Sequence, residues 1–180
     1  PDPIAGEGEV VVNIHSASIN GADWKVRAGN YSTLNQFPYV LGRDFSGEVS
    51  QVGQGVSDLK KGDEVFGVCD VGQEGTYAEK IAIKASIIAV KPESISHNAA
   101  ATLSLTGLTA LISIEETLKL KSGEKILIQG GAGGVASFAI QIAKNIGASV
   151  ITTSSSNNMN YLLDLGADQV IDYNKYDFSE

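Results

Sequence analysis

KILIQGGAGGVA, residues 125–136, is the stretch that decides the fold of this chain. The apolar run Lys125 to Gln129 leads into glycines, and a second apolar, β-branched run follows at Ser149 to Thr153. Between them, apolar residues recur three and four positions apart, which predicts one face of a helix: Val135, Phe138, Ala139, Ile142, Ala143 and Ile146. Gly147 is expected to end that helix. The order strand, helix, strand indicates a βαβ unit with a parallel sheet.

The glycine loop contains the pattern Gly-x-Gly-x-x-Ala at Gly131, Gly133 and Ala136. We expect Gly131 to allow the tight turn, Gly133 to let the backbone approach a pyrophosphate, and Ala136 to permit close helix packing. The helix N-terminus would add N–H groups and a positive dipole end for the phosphates. A loop that only joins a strand to a helix is the alternative. The strands on both sides favour a dinucleotide site.

The end of the second strand predicts which dinucleotide binds. An NAD-preferring fold usually has an acidic residue there, about 20 positions after the glycines, to bind the ribose 2′-hydroxyl. This chain has Thr153, Ser154 and Ser155 instead, followed by Asn157 and Asn158. Because no carboxylate would repel a 2′-phosphate and several groups could donate to it, we predict NADP. The alternative is that this polar run simply caps the next helix.

The first half of the chain differs in composition. From Glu9 to about Ile88, short β-rich segments are separated by glycines, which predicts a compact barrel. After Lys91 and Pro92 the chain becomes rich in alanine, leucine and other helix formers. We therefore expect a mixed α/β protein with a barrel domain at residues 1–95 and a dinucleotide-binding domain at residues 96–180.

Charge and cysteine content restrict the partners. The chain has 180 residues, 13 basic and 21 acidic, and a formal net charge of −8, which disfavours nucleic acid and anionic membrane surfaces. No apolar run approaches the roughly 20 residues that span a bilayer. Cys69 is the single cysteine, so no intrachain disulfide can form, and a reducing, cytoplasmic location is expected. We interpret Cys69 as a small apolar residue rather than a nucleophile.

The sequence resembles the medium-chain dehydrogenase/reductase superfamily, and within it the zinc-independent, zeta-crystallin-like quinone oxidoreductase group. The segments that carry the resemblance are Gly8 to Val12, Asn20 to Asp23, Arg27 to Tyr31, Pro38 to Val49, Lys61 to Gly67, Ala99 to Ala110, the glycine loop, and Gly166 to Tyr173. The resemblance implies a GroES-like β-barrel domain followed by the first half of a Rossmann domain, with cofactor and substrate in the cleft between them. It also implies a homodimer, and a chain that lacks the opening strand and the second Rossmann half of its relatives.

The resemblance also implies roles for individual residues. Asn20 matches an asparagine near the nicotinamide, and Tyr173 matches a tyrosine on the adenosine side. Thr109 matches the threonine of a leucine-threonine segment and is expected to bind the cofactor. The pyrophosphate loop corresponds to Gly130, Gly131, Gly133, Gly134 and Val135, while Ser154, Ser155 and Asn158 lie where relatives hold the 2′-phosphate. Some relatives carry a lysine in place of Asn158, and a neutral amide cannot replace that charge.

A catalytic zinc ion is not expected. Zinc-dependent relatives have a Gly-His-Glu motif and an upstream cysteine, where this chain has Gly42-Arg43-Asp44 and Asn20-Gly21. One hypothesis is that Asp23, Arg43 and Asp44 form an ion pair in place of the metal. His15 and His97 are interpreted as strand-face or capping residues.

The predicted activity is NADPH-dependent hydride transfer to a quinone or an α,β-unsaturated carbonyl. No catalytic residue is assigned, because the nicotinamide itself carries the hydride. Asn20, Lys25 and Tyr31 are candidate donors to the developing oxyanion, which solvent could also protonate. The alternatives are an enoyl-thioester or other reductase of the same superfamily, and a nucleotide-binding protein with little turnover.

Overall fold

The computed structural model describes residues 2–30, 38–70 and 72–178. The chain divides into two compact units, residues 1–105 and 106–180. This division falls within a helix, α2 (His97–Leu111), whereas the domain limits predicted from composition fall just before it. Those domain limits remain a prediction.

The first unit is built on an antiparallel five-stranded sheet, which is formed by the glycine-separated β-rich segments for which we predicted a compact barrel. Its strands are β1 (Glu9–Ala17), β2 (Asp44–Val52), β3 (Glu64–Val68), β4 (Lys80–Lys84) and β5 (Ile88–Val90), in the order β4-β1-β2-β3-β5. Helix α1 (Gly21–Arg27) follows β1, and a 3-10 helix, Ala85–Ile87, precedes β5. The β1–β2 pairing shifts register twice, at Val11/Val12 and at Ile14/Ser16. Such irregularities bend a strand and increase its twist, which helps the sheet to curve around its core.

Alternating residues of these strands form the core of the first unit. Val10, Val12, Phe45, Val49 and Val65 are completely buried. Their period of two places one face of each strand on the core, while the intervening residues lie on the opposite face. Cys69 is also buried in this cluster, as expected of a small apolar residue.

The second unit contains the predicted βαβ arrangement. Its elements are β6 (Lys125–Ile128), α3 (Gly134–Ile146), β7 (Ser149–Ser154), a 3-10 helix at Ser156–Asn158, α4 (Met159–Asp164) and β8 (Gln169–Asp172). The three strands are parallel in the order β6-β7-β8. Gly147 adopts a left-handed conformation (φ 93°) and ends α3, as predicted. Helix α2 continues into a π-helical turn, Ile112–Thr117, ahead of β6.

Helix α3 buries more of its surface than its sequence periodicity predicts. Phe138, Ile142 and Ile146 are half-buried against a cluster that includes Ala110 and Ile114. Ile140, which lies outside the predicted face, is completely buried. It packs with Val150 of β7 and with Leu162 of α4. Val135, the first residue of the predicted face, is 38% exposed. The helix therefore packs on two sides, and its first turn remains accessible.

Candidate functional site

Two glycines shape the loop between β6 and α3. Gly130 has a φ of +67°, the left-handed conformation that favours glycine. Gly131 has no room for a side chain, because an added Cβ would lie 2.2 Å from Oγ1 of Thr152. The tight turn is therefore made at Gly130. The motif alone had suggested Gly131 for this turn. Gly131 is needed instead for close contact with β7.

Hydrogen bonds fix this loop to the end of β7. The Gly130 N–H donates to Oγ1 of Thr153 over 3.0 Å, and the Gly131 N–H donates to the Thr153 carbonyl over 2.9 Å. Within the loop, the Gly133 N–H donates to the Gly130 carbonyl over 2.9 Å. The path of the backbone into α3 is thus set before any ligand binds.

The first turn of α3 offers donors to an anion. The Ser137 N–H is bonded to the Gly133 carbonyl. The N–H groups of Gly134, Val135 and Ala136 precede that bond, so the helix provides no acceptor for them. The first turn contains no acidic residue. An added Cβ at Gly133 would meet only the Gly130 carbonyl oxygen, at 3.2 Å, so the outer side of the loop is open. These features fit the pyrophosphate of a dinucleotide.

The contact between Gly131 and Thr152 makes a testable prediction. We expect Gly131→Ala to lower the free energy of unfolding by about 2 kcal/mol, because the new methyl group overpacks a buried site. Thr152→Ala should also destabilise, since Thr152 Oγ1 donates to the Ile128 carbonyl over 2.6 Å.

The double variant provides the control for this prediction. With the Thr152 side chain shortened, the closest clash is removed and only Leu162 Cδ2, at 3.1 Å, remains close to the added methyl group. Gly131→Ala should therefore cost less in the Thr152→Ala background. Urea unfolding of the four proteins measures this coupling. Additive losses would contradict the proposed steric cause.

Some side chains of the polar run after β7 form hydrogen bonds within the run itself. The Ser154 side chain is buried and its hydroxyl donates to the Ser155 carbonyl over 2.9 Å. Asn158 Nδ2 donates to Ser155 Oγ over 3.3 Å. The Ser155 hydroxyl makes no capping bond to the 3-10 helix that follows it. The roles predicted for Ser154, Ser155 and Asn158 remain predictions.

Asp172 is a residue of this region that the sequence reasoning missed. The parallel register places it beside Ser154, and its side chain is buried. It accepts hydrogen bonds from the Ser156 hydroxyl, from the Asn174 N–H over 3.0 Å and from Asn174 Nδ2 over 3.2 Å. These donors, Ser156 first, hold the pKa of Asp172 below its usual range, so the carboxylate is charged at neutral pH. The available signal was the strand-like run that ends at Asp172, because neighbouring parallel strands end at the same edge.

Two other predicted cofactor residues are accessible. Tyr173 is 51% exposed, and its N–H bonds to the Ser154 carbonyl over 3.3 Å, which keeps it next to the end of β7. Thr109 is exposed on α2, and its carbonyl accepts a bond from Ser113 Oγ over 2.7 Å. Their contacts with a cofactor remain predictions.

Asn20 is held by a network in the first unit. Its Nδ2 donates to Asp44 Oδ1 over 2.8 Å and to Ser18 Oγ over 3.2 Å, and the Ser18 hydroxyl donates to Asp44 Oδ1 over 2.5 Å. Both amide hydrogens of Asn20 are therefore used. The hypothesis that Asn20 donates to a substrate oxyanion is wrong for this geometry, because both hydrogens of its side-chain amide are already donated to Asp44 and Ser18.

The ion pair expected in place of the metal is not formed. Among the described residues, Arg43 has no salt bridge to Asp23 or Asp44, and its Nη2 donates to the Cys69 carbonyl over 2.8 Å. Asp44 is completely buried, and its Oδ2 accepts the Leu105 N–H over 3.2 Å. Asp23 accepts the Asn20 N–H and the Tyr77 hydroxyl, each over 2.7 Å. Neutral donors, rather than a cation, compensate both carboxylates.

This donor set does not fit a zinc ion. The Asp44 oxygens are already occupied by Ser18, Asn20 and Leu105, and an amide stands where a thiolate ligand would be needed. In residues 2–30, 38–70 and 72–178, no three His, Cys, Asp or Glu side chains group closely enough to hold a metal. Burial raises the pKa of the Cys69 thiol to about 12, so it is a poor ligand or nucleophile.

The remaining side chains singled out in the sequence are Lys25 and Tyr31, the other candidate oxyanion donors, and the two histidines. Lys25 is exposed, with its ammonium 5.8 Å from the centre of the Trp24 ring, and Tyr31 lies outside the described residues. His97 is the first residue of α2 and its Nδ1 bonds to Ser46 Oγ at 2.8 Å, while its ring stacks on that of His15 at 4.3 Å.

Within the described part of the chain, no helix has the length and apolarity needed to cross a membrane.

Comparison with known proteins agrees with this architecture. The family model for the alcohol dehydrogenase GroES-like domain matches residues 6–93, and that for the zinc-binding dehydrogenase family matches residues 134–180. A 2-methylene-furan-3-one reductase of Solanum lycopersicum is 40% identical over 99% of this chain and 48% of its own length. The chain spans about half the length of the curated relatives it matches.

Solved structures of quinone oxidoreductases also match nearly the whole chain. The quinone oxidoreductase of Coxiella burnetii matches with a TM-score of 0.93 and 38% identity, over 99% of this chain and 58% of that one. The quinone oxidoreductase of Escherichia coli, solved with NADPH, matches with a TM-score of 0.91 and 34% identity, over 98% of this chain and 53% of that one. With the two family models and the glycine loop, these matches show that the chain belongs to the medium-chain dehydrogenase/reductase superfamily.

Proposed function

We propose that the protein is an NADPH-dependent oxidoreductase that transfers hydride to a quinone or an α,β-unsaturated carbonyl without zinc. The observation that carries this proposal is the loop at residues 130–134, whose backbone is fixed to β7 and leads into the first turn of α3. Such a loop is suited to the pyrophosphate of a dinucleotide. A relative of the same superfamily was solved with NADPH, which supports the choice of cofactor.

The acceptor is proposed from the names of relatives together with the chemistry of the site. Two similar structures are quinone oxidoreductases, and the name 2-methylene-furan-3-one describes a ketone conjugated to a carbon–carbon double bond. Quinones and enones are both electron-poor acceptors. Hydride transfer to either needs a positioned nicotinamide and exclusion of water more than an acid–base pair.

Different residues of the chain would bind different parts of NADPH. The N–H groups at the start of α3 would bind the pyrophosphate, and Ser155 with Asn158 would contact the 2′-phosphate. The cofactor-binding roles that the resemblance implies for Asn20 and Thr109 stay predictions. NADPH supplies the hydride when it is bound, and solvent would protonate the reduced acceptor.

Zinc independence is proposed from the donor set. The family name of residues 134–180 includes zinc, but the network around Asp44 is satisfied by hydrogen-bond donors. We expect a strong chelator to leave turnover unchanged after dialysis. Metal analysis of the purified protein should find less than one zinc ion per ten chains.

The function is tested by titration of the full-length protein with NADPH and NADH, followed by NADPH consumption on adding a simple para-quinone. Tighter binding of NADPH and quinone-dependent oxidation are expected. Consumption with an enoyl thioester but not with a quinone or enone would favour the second reductase class. Binding without turnover on any acceptor would identify a nucleotide-binding protein. A preference for NADH would show that the polar run after β7 only caps a helix.

Two further properties are proposed on sequence grounds. We expect a homodimer and a cytoplasmic location, the first from the resemblance and the second from the single cysteine. Light scattering of the purified protein and localisation of a tagged protein measure them directly.

A further inference from the structure

Lys175 brings a positive charge to the carboxyl end of the parallel sheet. It lies in the turn after β8, where its N–H donates to the Asp172 carbonyl over 3.0 Å. Its ammonium is 3.5 Å from Asp172 Oδ2, and its side chain is 62% exposed. The turn therefore holds the stem of Lys175 near the buried carboxylate while solvent still reaches much of the side chain.

The same carboxylate oxygen connects Lys175 to the polar turn after β7. Asp172 Oδ2 accepts the hydroxyl of Ser156 and also pairs with the ammonium of Lys175. Because Asp172 pairs with Ser154 in the sheet register, the ammonium lies beside the start of the turn that contains Ser155 and Ser156. The sequence separates these groups, and the sheet brings them together.

The ammonium keeps donors for a ligand. A lysine has three N–H donors, and Asp172 Oδ2 takes at most one of them. Asp172 is also compensated by Ser156 and Asn174, so it does not depend on Lys175 for its hydrogen bonds. An anion at the end of β7 would therefore meet an ammonium that Asp172 holds in place without using all of its N–H donors.

We propose that Lys175 supplies the charge that recognises the 2′-phosphate of NADPH, from the turn after β8 rather than from the end of β7. This inference rests on the proposed function, since it takes the adenosine ribose to lie at the end of the second strand of the βαβ unit. It answers the difficulty posed by Asn158, a neutral amide where some relatives have a lysine. Asp172 is a positioning residue in this scheme, because it acts through Lys175 and Ser156.

The test compares two nucleotides that differ only in the 2′-phosphate. Calorimetric titration of the full-length protein with 2′,5′-ADP and with 5′-AMP gives the preference for the phosphate. We expect Lys175→Met to weaken 2′,5′-ADP binding about tenfold, as for loss of a charge-assisted hydrogen bond. Its affinity for 5′-AMP should change less than twofold. The preference of the unaltered protein should also decrease as salt is added.

Two variants separate a local contact from a general charge effect. Lys125→Met removes an exposed lysine at the amino end of β6, the opposite edge of the same sheet, and should leave both affinities unchanged. Lys175→Arg keeps the charge and should retain most of the preference. Loss of the preference in Lys125→Met as well would overturn the inference.

The outcomes also distinguish this inference from the proposed function. If the unaltered protein prefers 2′,5′-ADP and Lys175→Met keeps that preference, the role of Lys175 is wrong and NADPH binding stands. If the unaltered protein binds both nucleotides equally, the preference for NADP and the role of Lys175 fail together. If it binds neither, the dinucleotide site itself is wrong, and the inference fails with it.

Discussion

Gly133→Asp should reduce the affinity for NADPH more than about 100-fold while leaving the fold intact. A carboxylate at this position would face the pyrophosphate, and two like charges without intervening water repel strongly. It would also compete for the N–H groups of the first turn of α3, since an aspartate at the N-cap accepts hydrogen bonds from them. Calorimetric titration with NADPH measures the loss.

The structure makes this variant informative because the backbone conformation at this position suits a side chain, with a φ of −77°. The added Cβ would lie 3.2 Å from the Gly130 carbonyl oxygen, a tight contact that a shift of a few tenths of an ångström relieves. We therefore expect a melting temperature close to that of the unaltered protein. Gln141→Glu adds a negative charge at an exposed site on the same helix and should bind NADPH normally. Unchanged NADPH affinity in Gly133→Asp would refute the assignment of this loop to the pyrophosphate.

Asp44→Ala should lower the free energy of unfolding by about 3 to 4 kcal/mol. The carboxylate is completely buried and accepts hydrogen bonds from Ser18, Asn20 and the Leu105 N–H. Removing it leaves these donors without an acceptor, and each unsatisfied buried group costs about 1 to 3 kcal/mol, reduced where the group can reach water. Denaturant unfolding measures the change.

Two controls accompany this variant. Asp58→Ala removes an exposed carboxylate from the same unit and should change stability by less than about 0.5 kcal/mol. Asp44→Asn keeps the shape and one acceptor, so its cost should lie between those of the two alanine variants. Equal stability of Asp44→Ala and Asp58→Ala would contradict the account of the Asn20 network.

Much of the fold could be predicted because it depends on local patterns. The strand before the glycine loop, the helix after it and the stop at Gly147 follow from residue spacing within about 25 positions. The many short strands of the first unit follow from β-rich segments separated by glycines. The same local reasoning erred at Gly131, whose role depends on a contact with Thr152 on a different strand.

The candidate site was less predictable for the same reason. The motif indicates the phosphate loop, but it does not show that Asn20 has spent both of its amide hydrogens on Asp44 and Ser18. Nor does it show that Arg43 turns to the Cys69 carbonyl instead of to a carboxylate. Hydrogen bonding of a polar side chain depends on which partners the fold brings within about 3 Å, and sequence distance does not report that.

The sequence by itself determined that this chain has a βαβ unit with a phosphate loop, because helix and strand periods and glycine positions are properties of short segments. Only the tertiary structure decided which charges surround the end of β7. The register that pairs Ser154 with Asp172 brings Lys175 to the polar turn, although a strand and a helix separate them in the chain. A charge acts over a few ångströms of space, so its effect is fixed by the register of the strands and not by its place in the sequence.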